Sequence, residues 1–134
     1  MAQQKITIST DSTADLAKEL YQKYKIQVVP LGVVIGDKVY KDGVDVKPED
    51  VYNAVEKQNI MPKSQAAGEL DYTDIFELNK GSDFHIHFSI SEKLSASYGC
   101  AVRAAKAFKN VTIIDTKVLS SGTGLLAIMA REME

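Results

Sequence analysis

Hydroxyl-bearing residues gather where this chain changes from extended to helical patterning. Asp11-Ser12-Thr13, Ser89 to Ser97 (SISEKLSAS) and Asp115 to Thr123 (DTKVLSSGT) each stand at such a junction. A helix N-terminus carries unpaired amides and the positive end of the helix dipole, so hydroxyls placed there suit a carboxylate or a phosphate. The stretch from Asn59 to Gly68 adds Lys63-Ser64-Gln65, a cation beside a hydroxyl and an amide. No acid, base or metal-ligand set stands with these groups, which favours binding over turnover. One serine at one helix start is usually a cap. Recurrence at three junctions on one sheet edge is what points to a ligand.

A competing chemistry uses Asp11 and Asp115, each at a strand end. Hard cations prefer carboxylate oxygens, so the pair could chelate a divalent ion in a small-molecule phosphotransfer or hydrolytic enzyme. His85 and His87 alternate on one strand and face the same side, but no further ligand follows at metal spacing, and they read as ordinary, partly buried histidines. Dinucleotide, phosphate-loop and nucleophile-elbow motifs are all missing. The six tyrosines are scattered and read as core-edge residues with solvated hydroxyls. Met61, Met129 and Met133 could line a lipid slot, although methionine on a helix face usually serves packing. Cys100 is the only cysteine, with no thiolate-activating neighbour evident in the sequence.

These groups need a scaffold, and hydrophobic periodicity supplies one. A strand begins at Ile6 and ends at Asp11-Ser12-Thr13, and Leu16, Leu20 and Tyr24 predict a helix from Ala14 to Lys25. Ile26 to Ile35 is apolar almost throughout and predicts one strand covered on both faces, with an irregularity at Pro30. Gly36-Asp37 predicts a hairpin into Lys38-Val39-Tyr40, Asp42-Gly43 a second turn, and Pro48 to Gln58 a helix. The pattern then gives a loop over Asn59 to Gly68, a helix from Glu69 to Asn79 and a strand from Phe84 to Ile90. A helix from Leu94 to Phe108, a strand from Val111 to Asp115 and a last helix from Ser121 complete it. Alternating strands and helices imply parallel pairing with right-handed crossovers, hence a three-layer α/β/α sandwich on a mainly parallel sheet.

The 134 residues are one domain's worth, and 45% hydrophobic with 25% charged residues is ordinary for a globular chain. A net charge of -2 without a basic block gives no footprint for nucleic acid. No stretch has the apolar length of a signal sequence or a membrane span, and with the single cysteine this favours a reducing cytoplasm. The last residues, Met129 to Glu134, form an amphipathic helix without a stop signal, so the ending reads as a cut.

At these junctions the sequence resembles the DegV family, from Ile6 to Met133. The resemblance rests on Thr10 to Leu16 (TDSTADL), Val29-Pro30-Leu31 with Asp42 to Asp45, and Pro62 to Gln65. It rests further on Ser91 to Ser95 with Tyr98, and on Ile114-Asp115-Thr116 with Ser121 to Gly124. It implies the N-terminal α/β domain, residues 1–134, of a bacterial fatty-acid carrier whose C-terminal domain is absent here. Such a carrier is no enzyme itself, needs no cofactor or metal, and in some cases presents the bound acid to a fatty acid kinase. The resemblance assigns the carboxylate to Ser64 and Ser95, with either Lys63 or Ser64 at the position of a family threonine. Ser12, Ser91 and Ser121 stand as supporting hydroxyls. Leu94-Ser95-Ala96-Ser97 keeps the key hydroxyl but has Ala96 and Ser97 where the family has Gly and Thr. An apolar tunnel or groove for the acyl tail is expected, and an uncovered apolar face would favour a homo-oligomer.

Overall fold

The computed structural model describes residues 2–134, and Met1, at the head of the lead-in to the first strand, lies outside the described residues. Four parallel strands form the main sheet in the order β2-β1-β6-β7, with β1 at Ile6–Asp11, β2 at Ile26–Val29, β6 at Phe84–Ser89 and β7 at Val111–Asp115. A smaller antiparallel sheet, β4-β3-β5, is built from β3 at Gly32–Ile35, β4 at Lys38–Lys41 and β5 at Lys63–Gln65. The helices are α1 at Lys18–Lys23, α2 at Pro48–Gln58, α3 at Glu69–Leu78, α4 at Ser97–Ala105 and α5 at Ser121–Glu132.

The main sheet is covered on both faces, as a parallel sheet requires. On one face Val29 and Leu31 pack with Tyr72 and Phe76 of α3 and Ala101 and Ala104 of α4. On the other, Ile8, Ile26 and Phe88 pack with Ala127 of α5, joined by Leu16, Tyr21 and Tyr24. The expected three-layer sandwich is therefore the observed one.

Four element boundaries differ from the sequence reading, each for a local reason. The helix expected from Ala14 starts only at Lys18: Ser12–Ala14 form a 3-10 turn, Asp15 takes a left-handed backbone with φ 52°, and Ala17 is extended. The single strand expected over Ile26 to Ile35 is two, because Pro30 cannot donate to the ladder and the chain there leaves one sheet for the other. The loop expected from Asn59 to Gly68 contains β5, which pairs Ser64 with Val33. The helix expected from Leu94 begins at Ser97, after a turn over Glu92 to Leu94. The Gly36-Asp37 hairpin forms as expected, with Gly36 at φ 64°, and so do α2, α3, β7 and α5 within a residue or two.

Candidate functional site

Parallel order brings the carboxyl ends of β1, β6 and β7 side by side, and in-register pairing sets Asp11, Ser89 and Asp115 level on three neighbouring strands. Strand spacing then separates the backbones of Asp11 and Asp115 by roughly 10 Å. The two do not act together. Asp11 is fully buried and turned into the α3/α4 face, whereas Asp115 accepts the Lys117 amide at 2.9 Å from its own turn. Among the described residues no group of three or more His, Cys, Asp or Glu side chains is placed to hold a metal. The expected two-aspartate metal centre is not what the fold builds.

Asp11 is instead the hub of a buried polar network. Its Oδ1 accepts the Tyr72 phenol at 2.6 Å and His87 Nε2 at 3.0 Å, while Oδ2 accepts the Ile90 amide at 2.9 Å and the Ser89 hydroxyl at 3.3 Å. Ser9 Oγ lies 2.8 Å from His87 Nδ1 and 2.7 Å from His85 Nε2. With the Nε2 hydrogen of His87 donated to Asp11, Nδ1 accepts from Ser9, and Ser9 in turn accepts from His85 Nε2. His85 Nδ1 is then left buried with no partner. Both histidine rings are fully buried and stack edge-on against α3, Tyr72 on His87 and Phe76 on His85, each pair 5.2 Å between centroids. The expectation of partly buried histidines and of tyrosines with wet hydroxyls fails here, because β1 and β6 carry a matched polar stripe that α3 and α4 seal from water.

Burial by itself would raise the Asp11 carboxyl, but the hydrogen bond from His87, with the Tyr72 and Ile90 donors, outweighs it and holds the group below its ordinary value. The Tyr72 phenol is pushed far up, first by burial and then by the Asp11 charge. Burial, reinforced by His87, pushes the His85 ring down to about 4.

Ser95 stands just ahead of α4, half-buried; its Oγ accepts the Ser97 amide at 3.1 Å and donates to Ser97 Oγ at 3.0 Å. Ser97 Oγ also accepts the Ala67 amide at 3.1 Å. The Pro62 to Gly68 stretch is thus tied to the start of α4 by Ser97, to which the sequence alone assigned no role. Ser64 and Lys63 are exposed on β5, three and four residues before Ala67. Ser12 is buried and accepts the Leu31 amide at 3.0 Å, Ser91 is buried and accepts the Lys93 amide at 3.3 Å, and Ser121 is exposed at the first position of α5. Ser12 and Ser91 therefore serve the backbone.

The strand-helix edge carries exposed apolar side chains, Leu94 beside Ser95 and Val118 and Leu119 beside α5. Val118 is held next to Ser91, whose amide donates to its carbonyl at 3.1 Å. One cleft of about 300 Å³ lies between β2 and α3, lined by Pro30, Lys41, Asp71 and Asp74, and another of about 540 Å³ lies at the amino ends of the strands. The Arg103 guanidinium lies 3.2 Å from Cys100 Sγ, a cationic neighbour one turn along α4 that the sequence reading did not find.

The family model described as an uncharacterised protein of the DegV family matches residues 5–134. This chain belongs to the DegV family. A DegV domain-containing protein of Caldanaerobacter subterraneus subsp. tengcongensis is 37% identical over 133 residues, covering 97% of this chain and 47% of that protein. A solved DegV family protein of Thermus thermophilus, described as binding fatty acid, superposes with TM-score 0.88 at 30% identity over 96% of this chain and 47% of that one. A stearic acid-binding protein of Eubacterium ventriosum superposes with TM-score 0.85 at 29% identity over 98% and 47%. The chain spans about half the length of the DegV relatives it matches. No helix among the described residues is long and apolar enough to cross a membrane.

Proposed function

We propose that this chain binds a long-chain fatty acid and holds its carboxylate at the start of α4, with the Ser95 hydroxyl and the α4 amides that follow Ser97 as donors and Ser64, with Lys63, approaching from β5. The observation that carries this reading is the Ser97 tie, which fastens the Pro62 to Gly68 stretch to the Ser95 turn. The two segments that the resemblance assigns to the carboxylate are thereby joined beside one helix N-terminus. The solved relatives described as binding fatty acid support the choice of ligand. Leu94, Val118 and Leu119 offer apolar surface for the tail beside the same turn.

Binding without turnover fits the hydroxyls and amides that dominate the edge. Asp11 and His87 are buried and committed to one another. Presentation of the acid to a kinase, and a cytoplasmic setting, complete the proposal. Because the chain spans about half of its relatives, the reading concerns the carboxylate end of their site.

Native mass spectrometry of the purified protein, followed by lipid extraction, tests this directly. A fatty acid at near one-to-one occupancy is expected. Ser95→Ala should weaken oleate binding at least about tenfold, since a hydrogen bond to a charged group contributes on the order of 1.5–3 kcal/mol. Undiminished affinity in that variant would remove Ser95 from the site.

A further inference from the structure

We infer that the outer edge of β2 is a docking site for an extended segment of a partner protein, one that carries a basic and an apolar side chain two residues apart. The inference is independent of the carboxylate site.

β2 is an end strand of the main sheet, and among the described residues no strand pairs with its outer side. Such an edge presents a row of unpaired amides and carbonyls, which an added strand satisfies. The cleft of about 300 Å³ runs along this edge from Gln27 to Pro30, with α3 as its far wall. The Gln27 and Asn79 carboxamides, paired at 2.9 and 2.8 Å, hold the carboxyl end of α3 beside the start of β2. Tyr72, near the other end of α3, reaches Asp11, the register partner of Val29. α3 therefore runs antiparallel to β2 and overhangs its edge. A segment laid there joins the main sheet with a helical wall already in place.

The wall specifies the occupant. On α3 each carboxylate of the cleft is followed four residues later by an apolar side chain, Asp71 by Ile75 and Asp74 by Leu78. Four helical residues rise about 6 Å, and two strand residues about 6.7 Å. Side chains i and i+2 on one face of an extended segment therefore match one such pair, basic against the carboxylate and apolar below it. Lys41 closes the Pro30 end of the cleft, beside Gly32 in the small sheet, and repels a cation placed at Asp71. Asp71 is in addition tied to the Gly68 amide at 2.8 Å. The pair that remains is Asp74 with Leu78. Among the described residues Asp74 has no ion-pair partner, and Leu78 is 79% exposed.

NMR titration of the 15N-labelled protein with acetyl-Thr-Leu-Thr-Lys-Thr-amide, and with the reversed sequence acetyl-Thr-Lys-Thr-Leu-Thr-amide, tests the assignment for either strand direction. At least one peptide should shift the amides of Gln27 to Val29 together with those of Asp74 to Leu78. Two N-methylated forms of that peptide, one for each alternate set of its amides, separate the strand edge from the side chains. Methylation of the set that faces β2 should cost about tenfold in affinity, and methylation of the other set far less. Glutamate in place of lysine should weaken binding up to about fivefold, and Asp74→Lys should reverse that order. Any of four results would overturn the assignment: no shift in β2 with either peptide, equal losses from the two methylated forms, an unchanged lysine and glutamate order in Asp74→Lys, or shifts confined to the outer edge of β7. None of these outcomes bears on oleate binding.

Discussion

Replacing Asp11 by Asn keeps the outline of the side chain and removes the charge that four buried donors address. One carboxylate oxygen becomes an NH2 group that faces donors, so at least one buried hydrogen bond turns into a clash of donors. Asp11→Asn should lower stability by about 3 kcal/mol, read from urea midpoints at neutral pH. The same network sets an acid response. Folded His85 titrates at about 4 against about 6.5 in an unfolded chain. Between those values the unfolded state holds the extra proton, and stability falls as pH drops. The loss reaches up to about 3 kcal/mol for His85. Asp11, held low in the fold, adds to it as pH falls below the ordinary carboxylate range. Urea midpoints should therefore decline from pH 6.5 to 4 in wild type and stay flatter in His85→Gln; parallel slopes would place the acid sensitivity elsewhere.

Elements here are set as much by interruptions as by periodicity. Pro30 ends β2 and lets Leu31 enter the α3/α4 core before β3 begins in the second sheet. Asp15, left-handed at φ 52°, delays α1 and leaves Leu16 to pack against α5 from the turn that follows β1. That packing explains Gly124. A Cβ there would stand 2.5 Å from Leu16 Cδ2 and 3.0 Å from the Ala14 carbonyl oxygen, and the backbone oxygen cannot step aside as a side chain would. Gly124→Ala gains helix propensity yet should destabilise by about 1–2 kcal/mol, since overpacking outweighs the propensity term. A thermal midpoint equal to or above wild type would mean that α5 can slide away from the turn.

At the scale of the whole molecule the outer side of α5 stands out. Leu125, Leu126, Met129 and Met133 recur at helical spacing and are all exposed, Met133 to 84%. An apolar stripe of this kind favours association. The isolated chain should show concentration-dependent self-association in sedimentation velocity, and Leu125→Lys combined with Met129→Lys should return it to a monomer. A wild-type monomer at high concentration would show that the stripe tolerates water. Arg131, on the inner side of the same helix, ties its carboxyl end to the carbonyls of Ile6, Tyr24 and Lys25, so α5 is fixed to the sheet while its outer side is bare.

The sequence by itself determined the alternation of strands and helices, the three-layer class, most helix bounds, and the hydroxyl-rich junctions, because each of these is written in local periodicity and cap chemistry. It also held a clue that the reading missed. Thr7, Ser9 and Asp11 on β1 alternate with Ile6, Ile8 and Thr10, and His85, His87 and Ser89 on β6 alternate with Phe84, Ile86 and Phe88, which marks a polar stripe on one sheet face. Only the tertiary structure decided that β1 and β6 are neighbours, that the stripe is buried, that Tyr72 reaches Asp11, and that Ser97 ties Ala67 to Ser95. Those contacts span up to 79 positions of the chain. Strand order and helix docking bring such residues together, and no local pattern encodes which distant hydroxyl will meet which carboxylate.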